Sequence, residues 1–205
     1  MKYIDEAKTN EIVILKSKFI ASIYPVSNIE DVNTILSSTR KKYYDASHNC
    51  YAYILGDNME IQKASDDGEP QKTAGFPMLD VLKKNEITNV LCIVTRYFGG
   101  TLLGAGGLIR AYSESVSEVL KKVRLSIKKA LSSIIIKLDY SSYNNLISNI
   151  TNIKIIDTSF DSLVTLKIAF DENNYDEIIK SINNLSKGKA LIENTESIVT
   201  FIPID

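Results

Sequence analysis

The stretch RYFGGTLLGAGGLIR, Arg96 to Arg110, decides how this chain is read. An apolar run precedes it and a helix-period run follows it. Gly99, Gly100, Gly104, Gly106 and Gly107 fall inside it. Glycine loses more backbone entropy on folding than any other residue, so this density marks a loop shape that side chains would obstruct. A phosphate cradle, a nucleic-acid contact and a tight packing corner all fit that description.

The phosphate readings fail on detail. Gly99 and Gly104 have the P-loop spacing, but Ala105-Gly106 stands where Lys-Ser/Thr is required. After Gly104-Ala105-Gly106, Ile109 stands where the dinucleotide fingerprint wants a third small residue. A general anion site survives, since a glycine turn opening a helix presents backbone N–H groups. Arg96 and Arg110 flank the loop and can fork onto phosphate.

Outward from the loop, Asn89–Arg96 reads as a buried strand and Ala105–Arg124 as a helix whose Leu108, Tyr112, Val116, Val119 and Val123 share a face. Upstream, Glu11–Lys16 and Lys18–Val26 read as strands, and Ser27-Asn28-Ile29-Glu30 as a capping box opening a helix to about Tyr44. Strands at Asn49–Leu55 and Met59–Ala64 flank a hairpin signal at Gly56-Asp57-Asn58. Pro77 opens a short helix to Lys84. Beyond a Lys-rich join at Lys128-Lys129, strands at 132–138, 154–160, 163–170 and 191–204 alternate with helices at 143–150 and 173–185. That order is a split βαβ, ferredoxin-like pattern. The fold class is therefore α+β in two domains, 1–131 and 132–205.

The 205 residues carry a net charge of −1, with a pI near 5.9. Through Leu131 there are 18 Lys and Arg against 15 Asp and Glu, and beyond it 6 against 10, so any polyanion contact belongs to the first domain. MKYIDEAKTN has no apolar signal core, and no run approaches ~20 apolar residues. A cytoplasmic protein with no membrane contact is expected. Cys50 and Cys92, both in apolar runs, read as buried thiols rather than a disulfide framework.

Asp66-Asp67-Gly68-Glu69-Pro70 could offer oxygen ligands to a divalent cation, but it lacks the calcium-loop continuation and is also ordinary turn chemistry. His48, the one histidine, lies two residues from Cys50; a Cys-His nucleophile would need a third group that is not evident. Tyr43, Tyr44, Tyr51, Tyr53 and Tyr97 could stack on bases or sit in the core. No cofactor is expected.

Three segments combine into a resemblance. ASHNCYAYILGD (Ala46–Asp57), SDDGEPQKTAGFPML (Ser65–Leu79) and VTRYFGGTLLGAGGLIRAYSESV (Val94–Val116) resemble, in order and spacing, the signature of the IMPACT (YigZ-like) family in its bacterial two-domain form. The resemblance implies an IMPACT domain similar to the second domain of a small-subunit ribosomal protein, a sheet with helices on one side. It also implies a ferredoxin-like domain similar to the last domain of the translocation elongation factor. The motif positions carried over are His48, Asp66, Asp67, Gly68, Glu69, Pro70, Thr73, Gly75, Pro77, Arg96, Tyr97, Gly99, Gly100, Gly104, Gly106, Gly107 and Arg110. One departure is visible: Lys72 stands where the family usually has Gly before the Thr.

Eukaryotic members carry an extra N-terminal domain and restrain an initiation-factor kinase, a role not transferred to this chain. The implied function is a non-enzymatic, translation-linked regulator binding RNA, the ribosome or a ribosome-associated protein. The alternative is a metal-assisted hydrolase or small-ligand-binding protein using the acidic turn and glycine loop. These two segments are expected to lie close together after folding. If Arg96 and Arg110 pair with the turn's own carboxylates, the phosphate reading weakens.

Overall fold

A computed structural model describes residues 1–204, and the side chains of all of these except 194–196. The described residues form two compact units, 1–127 together with 202–204, and Lys128–Phe201.

The first unit is built on an antiparallel sheet of β2 (Lys8–Ile14), β3 (Ser17–Pro25), β6 (Val90–Tyr97), β4 (His48–Leu55) and β5 (Ile61–Ser65), in that spatial order. Strands β4 and β6 are buried on both faces. Cys50, Ala52, Ile54, Val90, Cys92 and Val94 face a core completed by α2 (Gly75–Lys84) and α3 (Gly104–Leu120). Tyr51, Tyr53, Leu55, Leu91 and Ile93 face the other way, against Val32 and Leu36 of α1 (Ile29–Lys42). The α+β class holds, with one refinement: α2 and α3 share a face, while α1 covers the opposite one. The period-2 alternation of two doubly buried strands demands that second cover.

Local differences from the sequence reading have physical causes. The α1 cap is shifted by one residue: the Asn28 side chain accepts from the Asp31 N–H, and Asp31 accepts from the Ser27 N–H. Asn28 outcompetes Ser27 as cap. Helix α2 begins two residues before Pro77. Strand β1 (Lys2–Ile4), too short to announce itself, pairs with the first residues of β7 (Leu125–Leu138), so the Lys-rich join is strand rather than linker.

In the second unit β10 (Leu191–Ile204), β7, β9 (Val164–Phe170) and β8 (Lys154–Phe160) lie in that order, the 4-1-3-2 arrangement of a ferredoxin-like fold. Ile134, Ile136, Leu166, Ile168 and Phe170 meet Leu146 of α4 (Tyr140–Asn149) and Ile178 and Ile182 of α5 (Tyr175–Leu185).

Candidate functional site

Register builds the site. Arg96, at the end of β6, pairs with His48 of β4 on one side and Phe19 of β3 on the other. Its position follows Val94 and Cys92 by the two-residue period, so the guanidinium lies on the α2/α3 face. There it meets Glu69 from the acidic turn. Arg96 Nη1 donates to Glu69 Oε1 at 2.6 Å, and Tyr112 of α3 donates to the same oxygen at 2.8 Å. The Phe19 and Phe98 rings lie 5.4 and 5.6 Å from the guanidinium carbon. Arg96 Nη2 reaches Ser17 Oγ at 3.4 Å, whereas Nε, buried, has no hydrogen-bond partner among the described residues.

The acidic turn is not a set of convergent ligands. Asp66 accepts from the backbone N–H groups of Lys72, Ala74 and Gly75 at 2.8–3.0 Å, holding the start of α2. That contact explains the early start of the helix, because the carboxylate satisfies donors that a helix N-terminus leaves open. Asp67 accepts from the Asn49 N–H at 2.7 Å and from Arg40 at 3.3 Å. Thr73 donates its hydroxyl to the Pro70 carbonyl. Gly75 is required: a Cβ there would lie 2.6 Å from the Ser65 backbone. Pro77 is buried within α2. Only Glu69 points toward Arg96. Among the described residues, no three His, Cys, Asp or Glu side chains are grouped to hold a metal.

His48 Nδ1 lies 2.9 Å from the Asp67 carbonyl oxygen. A carbonyl can only accept, so Nδ1 carries the proton and Nε2 is an acceptor in the neutral ring. That Nε2 is 3.9 Å from Glu69 Oε1. Gly68, at φ +90°, passes against the same ring. The Cys-His reading fails, since the buried Cys50 thiol donates its one proton to the Asp66 carbonyl at 2.9 Å, with the Tyr112 hydroxyl 3.3 Å from the sulfur. Burial holds its ionisation far above the ordinary thiol range. The base-stacking reading loses Tyr51 and Tyr53, which are buried against each other and α1. Tyr97 donates to Asp45.

The glycine loop answers in parts. Gly99 is a packing corner: its N–H donates to Ser17 Oγ, and a Cβ would come within 2.0 Å of the Lys16 backbone. Gly100 and Gly104 have left-handed φ values of +84° and +68°. Gly106 and Gly107 lie in the first turn of α3, which no side chain caps. Arg110 is exposed on α3.

Between loop and turn lies a cavity of about 380 Å³. Its polar floor is His48, Glu69 and Arg96; Phe98, Leu102, Leu103 and Leu108 form the apolar wall, and Gly68, Pro70, Gly104 and Ala105 complete it. The two segments therefore lie together, as expected. Arg96 pairs internally with Glu69, and Arg110 is not part of the lining. Sequence reasoning missed Tyr112, Ser17 and the leucine wall. Tyr112 carried one signal, a phenol on a core-facing stripe that needs a buried acceptor.

Comparison with known proteins follows the same residues. The sequence model of the Impact N-terminal domain matches residues 15–120. The chain is 37% identical over 195 residues to the IMPACT family member YvyE of Bacillus subtilis, covering 94% of this chain and 90% of that one. It is 31% identical over 179 residues to YigZ of Escherichia coli, covering 85% and 88%. A crystal structure described as a hypothetical protein superposes with a TM-score of 0.59 at 28% identity, covering 95% of this chain and 97% of that one. Matched over nearly its whole length, the chain belongs to the IMPACT family.

Proposed function

We propose that the chain is a non-enzymatic, translation-linked regulator that engages a ribosome-associated protein at the mouth of the cavity. Family membership supports the link to translation, and a cytoplasmic location goes with it. The observation that carries the protein contact is the pair Phe98 and Leu102, 49% and 85% exposed, beside a polar floor whose charges are already paired. Desolvating such aromatic and aliphatic groups is how protein interfaces gain affinity. Phosphate recognition would instead need unpaired cations, and Arg96 is spent on Glu69. A net charge of −1 points the same way. The hydrolase reading loses Asp66 and Asp67 to backbone N–H groups.

The test is cosedimentation with ribosomes across a salt series. Binding should persist at high salt, fall at least tenfold in Phe98→Ser/Leu102→Ser, and be unchanged in Arg110→Ala. Steep salt loss together with loss in Arg110→Ala would replace the protein partner by RNA. Absence of binding at low salt would overturn the translation assignment.

A further inference from the structure

We propose that the first unit binds single-stranded RNA in a groove between α1 and β5, on the face of its sheet opposite the cavity described above. The site goes beyond the protein contact proposed for that cavity and shares no lining residue with it.

Register opens the groove. Ser65, Lys63 and Ile61 of β5 pair with Tyr51, Tyr53 and Leu55 of β4, and directly opposed residues share a face. Those β4 residues face α1. The helix stops short of β5, where Lys63 and Ile61 are exposed. Beside α1 lies a space of about 480 Å³, whose lining includes Asn33, Ser37, Arg40, Lys41, Tyr44 and Tyr51. Its floor carries open donors. The Tyr51 and Tyr53 rings are buried and nearly parallel, with centroids 6.4 Å apart. Yet neither hydroxyl has a hydrogen-bond partner among the described residues, and neither oxygen is sealed from solvent.

Cations flank these phenols. Lys41 and Lys63 are exposed and form no ion pair among the described residues. Arg40 reaches Asp67 at 3.3 Å, but that carboxylate also accepts from the Asn49 N–H. Every charged side chain in the lining is a cation. The dipole of α1 accounts for Arg40 and Lys41, which stand in its last turn. It accounts neither for Lys63 nor for the two phenols. An anion whose oxygens only accept meets all of these groups, and phosphodiester is such an anion. Tyr44, 85% exposed, offers a ring face to an unstacked base. A duplex keeps its bases stacked on one another, so that ring selects a single strand. Asn33 and Ser37 can both donate and accept, as a ribose 2′-hydroxyl does. An acidic peptide would meet the cations but bring no base to Tyr44.

The experiment is fluorescence anisotropy of a labelled uridine decamer titrated with the full chain. Binding should weaken about tenfold between about 50 and about 200 mM salt, as neutralising two or three phosphates requires. Lys41→Glu and Lys63→Glu, both on the surface, should each weaken it at least fivefold without changing the melting temperature. Tyr44→Ala should do the same through lost stacking. Tyr51→Phe/Tyr53→Phe removes only the two hydroxyls, keeps the rings packed, and should cost at least threefold. Arg110→Ala should leave binding unchanged. A deoxyuridine decamer, an RNA duplex and a glutamate decamer should each bind at least threefold more weakly than the single RNA strand. Equal binding of the deoxyuridine strand or of the duplex would overturn the assignment to single-stranded RNA. Equal binding of the glutamate decamer would replace it by an acidic protein segment. No binding at low salt, or binding indifferent to Lys41 and Lys63, would overturn the site. Ribosomes take no part in this assay, so it can fail while cosedimentation succeeds, and the reverse.

Discussion

Glu69 and Arg96 are paired at 2.6 Å with side chains only 3% and 6% exposed, and this one contact joins the acidic turn to the central strand of the sheet. Two ions withdrawn from water are held by their mutual attraction and by extra hydrogen bonds, here from Tyr112 and Ser17. Removing one partner leaves the other charged and buried. Glu69→Ala should therefore destabilise the first unit by about 3–5 kcal/mol. Urea unfolding followed by a probe in that unit checks this. A loss below about 1 kcal/mol would mean that the pair is solvated like a surface bridge.

Gly99 and Gly106 look alike in the sequence and should behave oppositely. Ala at 99 would drive a Cβ into the Lys16 backbone, whereas nothing lies within 4 Å of a Cβ at 106. Backbone cannot step aside as a flexible side chain can. Gly99→Ala should cost at least about 2 kcal/mol, as overpacked sites do. Gly106→Ala should be neutral or stabilising by up to about 1 kcal/mol, the helix-propensity difference. Thermal unfolding of the two variants side by side gives the comparison.

Lys72 carries a left-handed backbone, φ +63°. An L side chain there costs roughly 1–2 kcal/mol, partly repaid here by the ammonium 5.7 Å from the Phe76 ring. Lys72→Gly keeps the N–H that donates to Asp66 and should raise stability by about 0.5–1 kcal/mol after the entropy of the added freedom. Lys72→Ala, which keeps the strain and drops the ring contact, should be less stable than the parent. A Gly variant melting below the parent would show that the ring contact outweighs the strain.

What was legible before the structure follows the range of the forces involved. The strands and helices around Arg96 are legible from apolar period, a local property. The family resemblance makes closeness of turn and glycine loop an expectation, but it does not name their partners. Nothing in the sequence separates an Arg96 that pairs with Glu69 from one aimed at phosphate, because register decides it: His48 opposite Arg96 brings the turn after β5 over the end of β6. Asp66 and Glu69 are three residues apart, yet one holds a helix start and the other is buried against a guanidinium. Strand β1 and the earlier start of β7 escaped because three residues have no readable period.

Cys92 makes the pH dependence of stability predictable. Complete burial pushes its thiol from the ordinary value of 9.0 up to about 12, and burial raises Cys50 further. Both thiols keep their protons when folded and lose them when unfolded in alkali. Below the unfolded value each contributes its full share; as pH rises through that value the unfolded chain gains thiolate that the folded chain does not. Unfolding free energy should thus fall between pH 9 and pH 12, by up to about 1.4 kcal/mol per unit for each thiol. Cys50→Ser/Cys92→Ala should flatten that slope even where it lowers stability at neutral pH. In the native chain both thiols should resist iodoacetamide at pH 8 and react once urea unfolds the first unit. Rapid labelling without denaturant, or an unchanged alkaline slope in the double variant, would show that the thiols meet water in the folded protein.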